Sequence, residues 1–164
     1  MEMFTHKGPA RIFASEEAAC EALIEDRITP GEVVIVRYMG PKGAPGMRLL
    51  QRFLWILSAK GMQDKVAFVT DGRFSGTNKG CAAAHVTPEA ASGGPLAVVQ
   101  DGDRVEINVP GKELNILIPS GELSARLSAW SPPEKRVRKG YLAIYSKLAK
   151  SAEGGAALNY KPEL

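Results

Sequence analysis

The stretch VVIVRYMGPKGAPGMRLLQRFLWILSAKGMQDKVAFVTDGRFSG, residues 33–76, decides the fold. Val33 to Val36 is a continuous β-branched run, the pattern of a strand buried on both faces. Lys65 to Thr70 repeats that pattern. Between them, residues 48–61 read as a helix that is apolar over most of its circumference, which must be well covered, with Gly61 as its C-cap. Two buried strands around one helix make a parallel crossover unit. Each strand runs into a glycine-rich segment, 38–47 and 71–80, that cannot be regular structure. Ligands in open α/β layouts sit beyond the carboxyl ends of the strands, so the two loops are expected at one mouth.

Working outward, ARIF (10–13) is a short strand. Ser15 is placed to cap a helix with Glu16 and Glu17 in its first turn and Ala18, Ala22 and Leu23 on its apolar face. Downstream, Thr87 reads as the cap of a short helix, with Pro88 at its first position and Glu89 in its first turn. LAVVQ (96–100), RVEINV (104–109) and ELNILI (113–118) then read as three strands joined by tight turns, antiparallel in character. Ser120 starts a helix toward Trp130, SPPEKRVRKG (131–140) is a solvated connector, and YLAIYSKLAK (141–150) is a last helix with Leu142, Ile144, Tyr145 and Leu148 apolar. The expected fold class is mixed α/β, one domain over residues 1–164.

Composition narrows the function classes. Hydrophobic residues make up 45% of the 164, and charged residues 24%, as in soluble globular proteins. The net charge of +3 comes without a basic stripe, which argues against a nucleic-acid partner. The longest apolar run is far too short to span a membrane, and the N-terminus has no signal core. The two cysteines, Cys20 and Cys81, lack metal-type spacing and cannot hold an iron–sulfur cluster alone; a reducing cytoplasm is the expected setting.

The chemistry is expected in the loops. Arg73 offers a fork for a carboxylate or phosphate, or pairs with a surface acid. Ser75 is a candidate nucleophile or base, or an ordinary turn residue. Asp71 is suited to an Asx-type bond that orients its loop, and glycine-rich turns can present backbone amides to an anion. His85 is either a packed, hydrogen-bonded residue or a catalytic one, the former being the commoner case. Ser75 lacks glycines two positions before and two positions after it, so the Gly-x-Ser-x-Gly elbow is absent.

Taken together, GPARIFASEEAA (8–19), PGEVVIVRYMGPKGAPGM (30–47), TDGRFSG (70–76), HVTPEAASGGPLAVVQDGD (85–103), ELNILI and RKGYLAIYSKLAKSA (138–152) resemble the C-terminal domain of the dihydroxy-acid dehydratase and phosphogluconate dehydratase family, in order and over nearly the whole chain. GPKGAPGM places it nearer the dihydroxy-acid and sugar-acid branch. The resemblance implies a swivelling β/β/α domain with a barrel-like mixed sheet. It implies removal of water from a 2,3-dihydroxy carboxylate to give a 2-keto acid, with Ser75 as the base. Arg73, Gly76 and Thr77 would bind substrate, and Gly43, Pro45, Gly46 and Met47 would form the pocket loop. The family's iron–sulfur cluster and Mg2+ would be held mainly by an N-terminal domain that residues 1–164 do not include. The family glutamate that binds metal corresponds to Leu49, and another common glutamate to Met39; neither side chain can ligate Mg2+, which takes oxygen donors. Cys81 falls where the family commonly has leucine. No metal or cofactor is therefore expected on this chain alone.

Two functions follow as expectations. In one, the chain is the C-terminal domain of a hydro-lyase working with an N-terminal domain or subunit. In the other, it is a stand-alone, catalytically silent relative that binds a small hydroxy acid through Arg73, or a partner subunit; Met1 just ahead of the domain favours that reading. A homodimer is compatible with both, because the uncovered side of the domain should be apolar.

Overall fold

In the computed structural model, residues 4–76 and 79–160 are described. The fold is mixed α/β: a six-stranded, curled half-barrel sheet flanked by four helices. The strands are β1 (Thr5–Phe13), β2 (Val33–Val36), β3 (Ala67–Thr70), β4 (Ala82–Ala83), β5 (Arg104–Asn108) and β6 (Glu113–Ile116), in spatial order β4-β3-β2-β1-β5-β6. The helices are α1 (Glu16–Ile24), α2 (Gln51–Ala59), α3 (Ser120–Ala129) and α4 (Tyr141–Leu148).

β1 joins a parallel half to an antiparallel half. Its first residues, Thr5 to Pro9, pair antiparallel with β5, and Ala10 to Phe13 pair parallel with β2. The strand is thus longer than ARIF alone. At the change of partner a Cβ on Gly8 would collide with the carbonyl oxygen of Gly31, so only glycine fits there.

β2 and β3 are buried at every position. Successive side chains in a strand point to opposite faces, and the two faces here enter two cores. Val34, Val36 and Phe68 pack with Leu23 of α1 and Phe53, Leu54 and Leu57 of α2. Val33, Ile35, Ala67 and Val69 pack with Val105 and Ile107 of β5 and with Leu96 and Val99. Leu123 and Leu127 of α3, with Trp130, close that second core. The Ser15 hydroxyl accepts from the Ala18 amide, capping α1 as its sequence suggests. The Arg126 guanidinium of α3 holds Asp103 at 2.5 Å; burial works against the charged carboxylate, but these bonds keep Asp103 below its usual range.

Four expectations change. LAVVQ is not a strand: Pro95–Ala97 is a single 3-10 turn. The Arg37 guanidinium donates to the carbonyls of Leu96, Ala97 and Val99 at 2.8 to 2.9 Å, removing the acceptors a strand ladder would use. Helix α2 begins at Gln51 rather than 48, because Leu49 bridges to Arg73 and the Leu50 amide donates to the Arg73 carbonyl. It is also less covered than its composition predicts: Trp55 is 66% exposed. On α4, Leu142 and Ile144 are exposed and Tyr145 and Leu148 only half-buried.

Phe68 is fully buried and stacks on Phe53 with centroids 4.9 Å apart. Phe68→Ala is therefore expected to cost about 3–5 kcal/mol in urea unfolding, whereas Trp55→Ala stays within about 0.5 kcal/mol. Equal losses at the two sites would contradict the core described.

Candidate active-site mouth

Parallel pairing of Val36 with Thr70 brings the ends of β2 and β3 side by side. The 38–47 and 71–80 loops therefore leave the sheet at the same edge, as the crossover pattern predicts. Two buried carboxylates anchor the 38–47 loop, and one of them, Asp71, ties it to the 71–80 loop. Asp71 is fully buried; its Oδ1 accepts from the Met39 amide at 2.8 Å, and its Oδ2 from the amides of Tyr38 at 3.1 Å and Ala90 at 2.8 Å. Glu89 is also fully buried and accepts from the amides of Lys42 at 3.1 Å and Gly43 at 3.0 Å. A Cβ on Gly40 would stand 2.5 Å from Glu89 Oε2, so glycine is required where the loop wraps the carboxylate.

This arrangement replaces the short helix expected at Thr87–Glu89. The Glu89 side chain reaches back to the loop, and Asp71 takes the Ala90 amide, leaving a single 3-10 turn at Ala90–Ser92. The amides of Tyr38, Met39, Lys42 and Gly43 thus form a nest for the protein's own carboxylates rather than for an outside anion. The Asp71 bond is not a local Asx turn but a tie between loops.

The candidate residues occupy the rim of this framework. Ser75 is half-buried, and its amide donates to Gln51 Oε1 at 2.8 Å, at the start of α2. Phe74 beside it packs on Phe68, with centroids 5.8 Å apart. Arg73 is exposed and its Nε donates to the Met47 carbonyl. Gly76 is exposed, Gly43 and Pro45 are half-buried, Gly46 is exposed and Met47 is buried. Thr77 lies outside the described residues. His85 is exposed rather than packed, with φ +56° and its amide donating to the Gly72 carbonyl. Tyr38 and Met47 also hold positive φ, at 63° and 53°. Non-glycine residues in that region carry strain, which tends to collect at functional sites.

Among the described residues, the side chains at positions 39 and 49 offer no oxygen donor to a divalent cation. Leu49 is 47% exposed beside Arg73, and Met39 is 2% exposed in the core. Among the described residues no group of three or more His, Cys, Asp or Glu side chains is arranged to hold a metal. Cys20 and Cys81 lie in different cores, and burial pushes the Cys20 thiol up to about 11 and raises that of Cys81. Protonated thiols on opposite faces of a sheet do not ligate one cluster.

Arg37 and Glu89 were not singled out from the sequence as parts of this site. The available signals were a cation ending an otherwise apolar strand and an acid following Thr-Pro. Neither signal identifies its partner, because both bind main-chain groups more than 40 residues away.

Burial raises the pKa of both carboxylates, against the hydrogen bonds they accept, and the Asp71 charge raises that of Glu89 further. A raised folded-state pKa means stability that is complete below the usual carboxylate range and is lost as pH rises through the raised value. Wild type should therefore lose thermal stability relative to Glu89→Gln as pH rises above the usual carboxylate range. A wild type that gains on the variant over that rise would show the opposite shift. Asp71→Asn, which sets an amide N–H against backbone N–H groups, should cost about 2–3 kcal/mol.

Comparison with known proteins accords with this architecture. The family described as dihydroxy-acid/6-phosphogluconate dehydratase C-terminal matches residues 1–156. A dihydroxy-acid dehydratase of Acetivibrio thermocellus is 48% identical over 160 residues, covering 98% of this chain and 29% of that protein. Its counterpart in Desulfatibacillum aliphaticivorans is 46% identical over 157 residues, covering 96% and 28%. That of Methanococcus aeolicus is 44% identical over 157 residues, with the same coverage. The chain thus spans less than a third of the length of these relatives. Parallel strand ends, the paired glycine loops and these matches together make the chain a member of the C-terminal domain family of the dihydroxy-acid and 6-phosphogluconate dehydratases.

Proposed function

We propose that residues 1–164 act as a single domain, the C-terminal part of a hydro-lyase that converts a 2,3-dihydroxy carboxylate or sugar acid to a 2-keto acid. The observation that carries this reading is the placement of Ser75 at the rim of two interlocked loops, its amide held by Gln51. In this reading Ser75 receives the proton from C2 of the substrate, and Arg73, Gly76 and Thr77 are the substrate-binding residues. Gly43, Pro45, Gly46 and Met47 form the pocket loop. The iron–sulfur cluster and Mg2+ of such a reaction belong to an N-terminal domain or subunit. Two free thiols, Cys20 and Cys81, support a reducing cytoplasm as the setting. Among the described residues no helix is long and apolar enough to cross a membrane.

A specific observation favours a second reading. Leu49 occupies the position from which the resemblance leads one to expect a metal-binding glutamate, and its side chain is half exposed at the mouth. The chain would then be a silent relative that binds a small hydroxy acid or a partner subunit without turning over. An ordinary serine hydroxyl does not ionise near neutrality, and the two carboxylates at this mouth, Asp71 and Glu89, are turned to main-chain amides.

The two readings separate in one assay. The chain and its Leu49→Glu variant are each combined with an N-terminal dehydratase part loaded with cluster and Mg2+. A panel of 2,3-dihydroxy carboxylates is then scored for 2-keto acid. Turnover by wild type, abolished in Ser75→Ala, supports the hydro-lyase. Turnover that appears only with Leu49→Glu, by a factor of about 100 or more, supports the silent relative. Keto-acid formation that survives Ser75→Ala would remove Ser75 from the chemistry.

A further inference from the structure

A cavity of about 460 Å³ opens on the side of the 38–47 loop, and neither Ser75 nor Arg73 lines it. Its walls are Tyr38, Lys42 and Gly43 of the loop, the 132–136 connector, and Ser146 and Lys147 of α4. Three contacts hold those walls together. Ser146 Oγ donates to the Lys42 carbonyl at 2.9 Å. Arg136 donates to the Ala14 carbonyl. Tyr38 carries the Arg37 guanidinium 5.5 Å over its ring and receives Trp130 Nε1 at 3.5 Å.

The lining divides by chemistry. Pro132, Pro133, Ala14, Ala91 and Tyr38 give the lining an apolar part. Lys42, Lys135 and Lys147 stand around it, and none of the three makes an ion pair among the described residues. The acid on the wall, Glu134, is paired with Arg138. A second cavity of about 450 Å³ shares Lys135 and Lys147 and adds Arg138 and Lys139 to the same positive rim. The volume is that of an ordinary small-molecule site, typically about 300–1,000 Å³, in which an apolar lining supplies contact and a few polar groups supply orientation.

We propose that this cavity binds a small organic anion, a carboxylate on a compact apolar body, with the body against Tyr38 and the two prolines and the carboxylate among Lys42, Lys135 and Lys147. A bare inorganic anion would leave the apolar part uncovered. A neutral apolar molecule would bring no counter-charge to the ammonium groups. Because Lys42 and Gly43 belong to the loop held by Glu89, occupancy also bears on the 38–47 loop. The proposal does not depend on the hydro-lyase reading.

The test is a titration of the 15N-labelled chain followed by amide chemical shifts, with 3-phenylpropionate, its neutral amide 3-phenylpropionamide, and inorganic phosphate. Saturable shifts at Gly43, Ala91, Ser146 and Lys147 are expected with 3-phenylpropionate, and about tenfold weaker binding of the other two. The double variant Lys42→Met, Lys147→Met, its fold confirmed by the same spectra, should bind 3-phenylpropionate about tenfold more weakly. Equal affinity for acid and amide, phosphate reproducing the same shifts, or shifts confined to other parts of the chain would each overturn the proposal. The acid–amide comparison uses the unmodified chain and stands however the variant behaves.

Discussion

Two carboxylates buried without an ion-pair partner, Asp71 and Glu89, set the shape of the mouth. Neither is neutralised by a lysine or arginine within salt-bridge distance among the described residues. Each is satisfied instead by main-chain amides of a loop that belongs to another strand. Burying a carboxylate is costly, and hydrogen bonds to charged groups are correspondingly strong. That balance makes the geometry specific: moving the 38–47 loop would strip Asp71 and Glu89 of their donors in a site water does not reach. The loop's glycines follow from the same constraint, since Gly40 leaves room for the Glu89 carboxylate.

The scaffold that brings the carboxylates to the loop was legible in the sequence. Unbroken β-branched runs marked β2 and β3, the helical pattern between them marked the crossover, and Ser15 with Glu16 and Glu17 marked the start of α1. These are local signals with local causes. What stayed hidden depends on long-range partners. LAVVQ has a strand's composition, but Arg37 takes its carbonyls. Glu89 looks like a helix first-turn acid, but its charge goes to Lys42 and Gly43. The start of α2 is displaced by a bridge to Arg73 that lies 24 residues beyond Leu49. The order of the loops along the chain was readable; the bonds between them were not, because backbone amides carry no residue signature.

The same distinction runs through the candidate site. The serine, arginine and glycines of the 71–76 turn are visible as residue types, and the fold sets them on one rim with Met47. The relatives are more than three times as long as this chain, and the position of Leu49 faces outward at the mouth. The loops around the serine are tied together by Asp71, and the side chain beside Arg73 at position 49 is a hydrocarbon. The interlocked loops are the element that residues of this domain hold in place by themselves.

That central claim is tested most directly by native-state hydrogen exchange at the amides of Met39, Lys42 and Gly43. If Asp71 and Glu89 clamp the loop, these amides exchange about as slowly as those of β2 and β3, and lose that protection in Asp71→Asn and Glu89→Ala. Exchange at the rate of an open, solvated loop in the wild-type chain would contradict it.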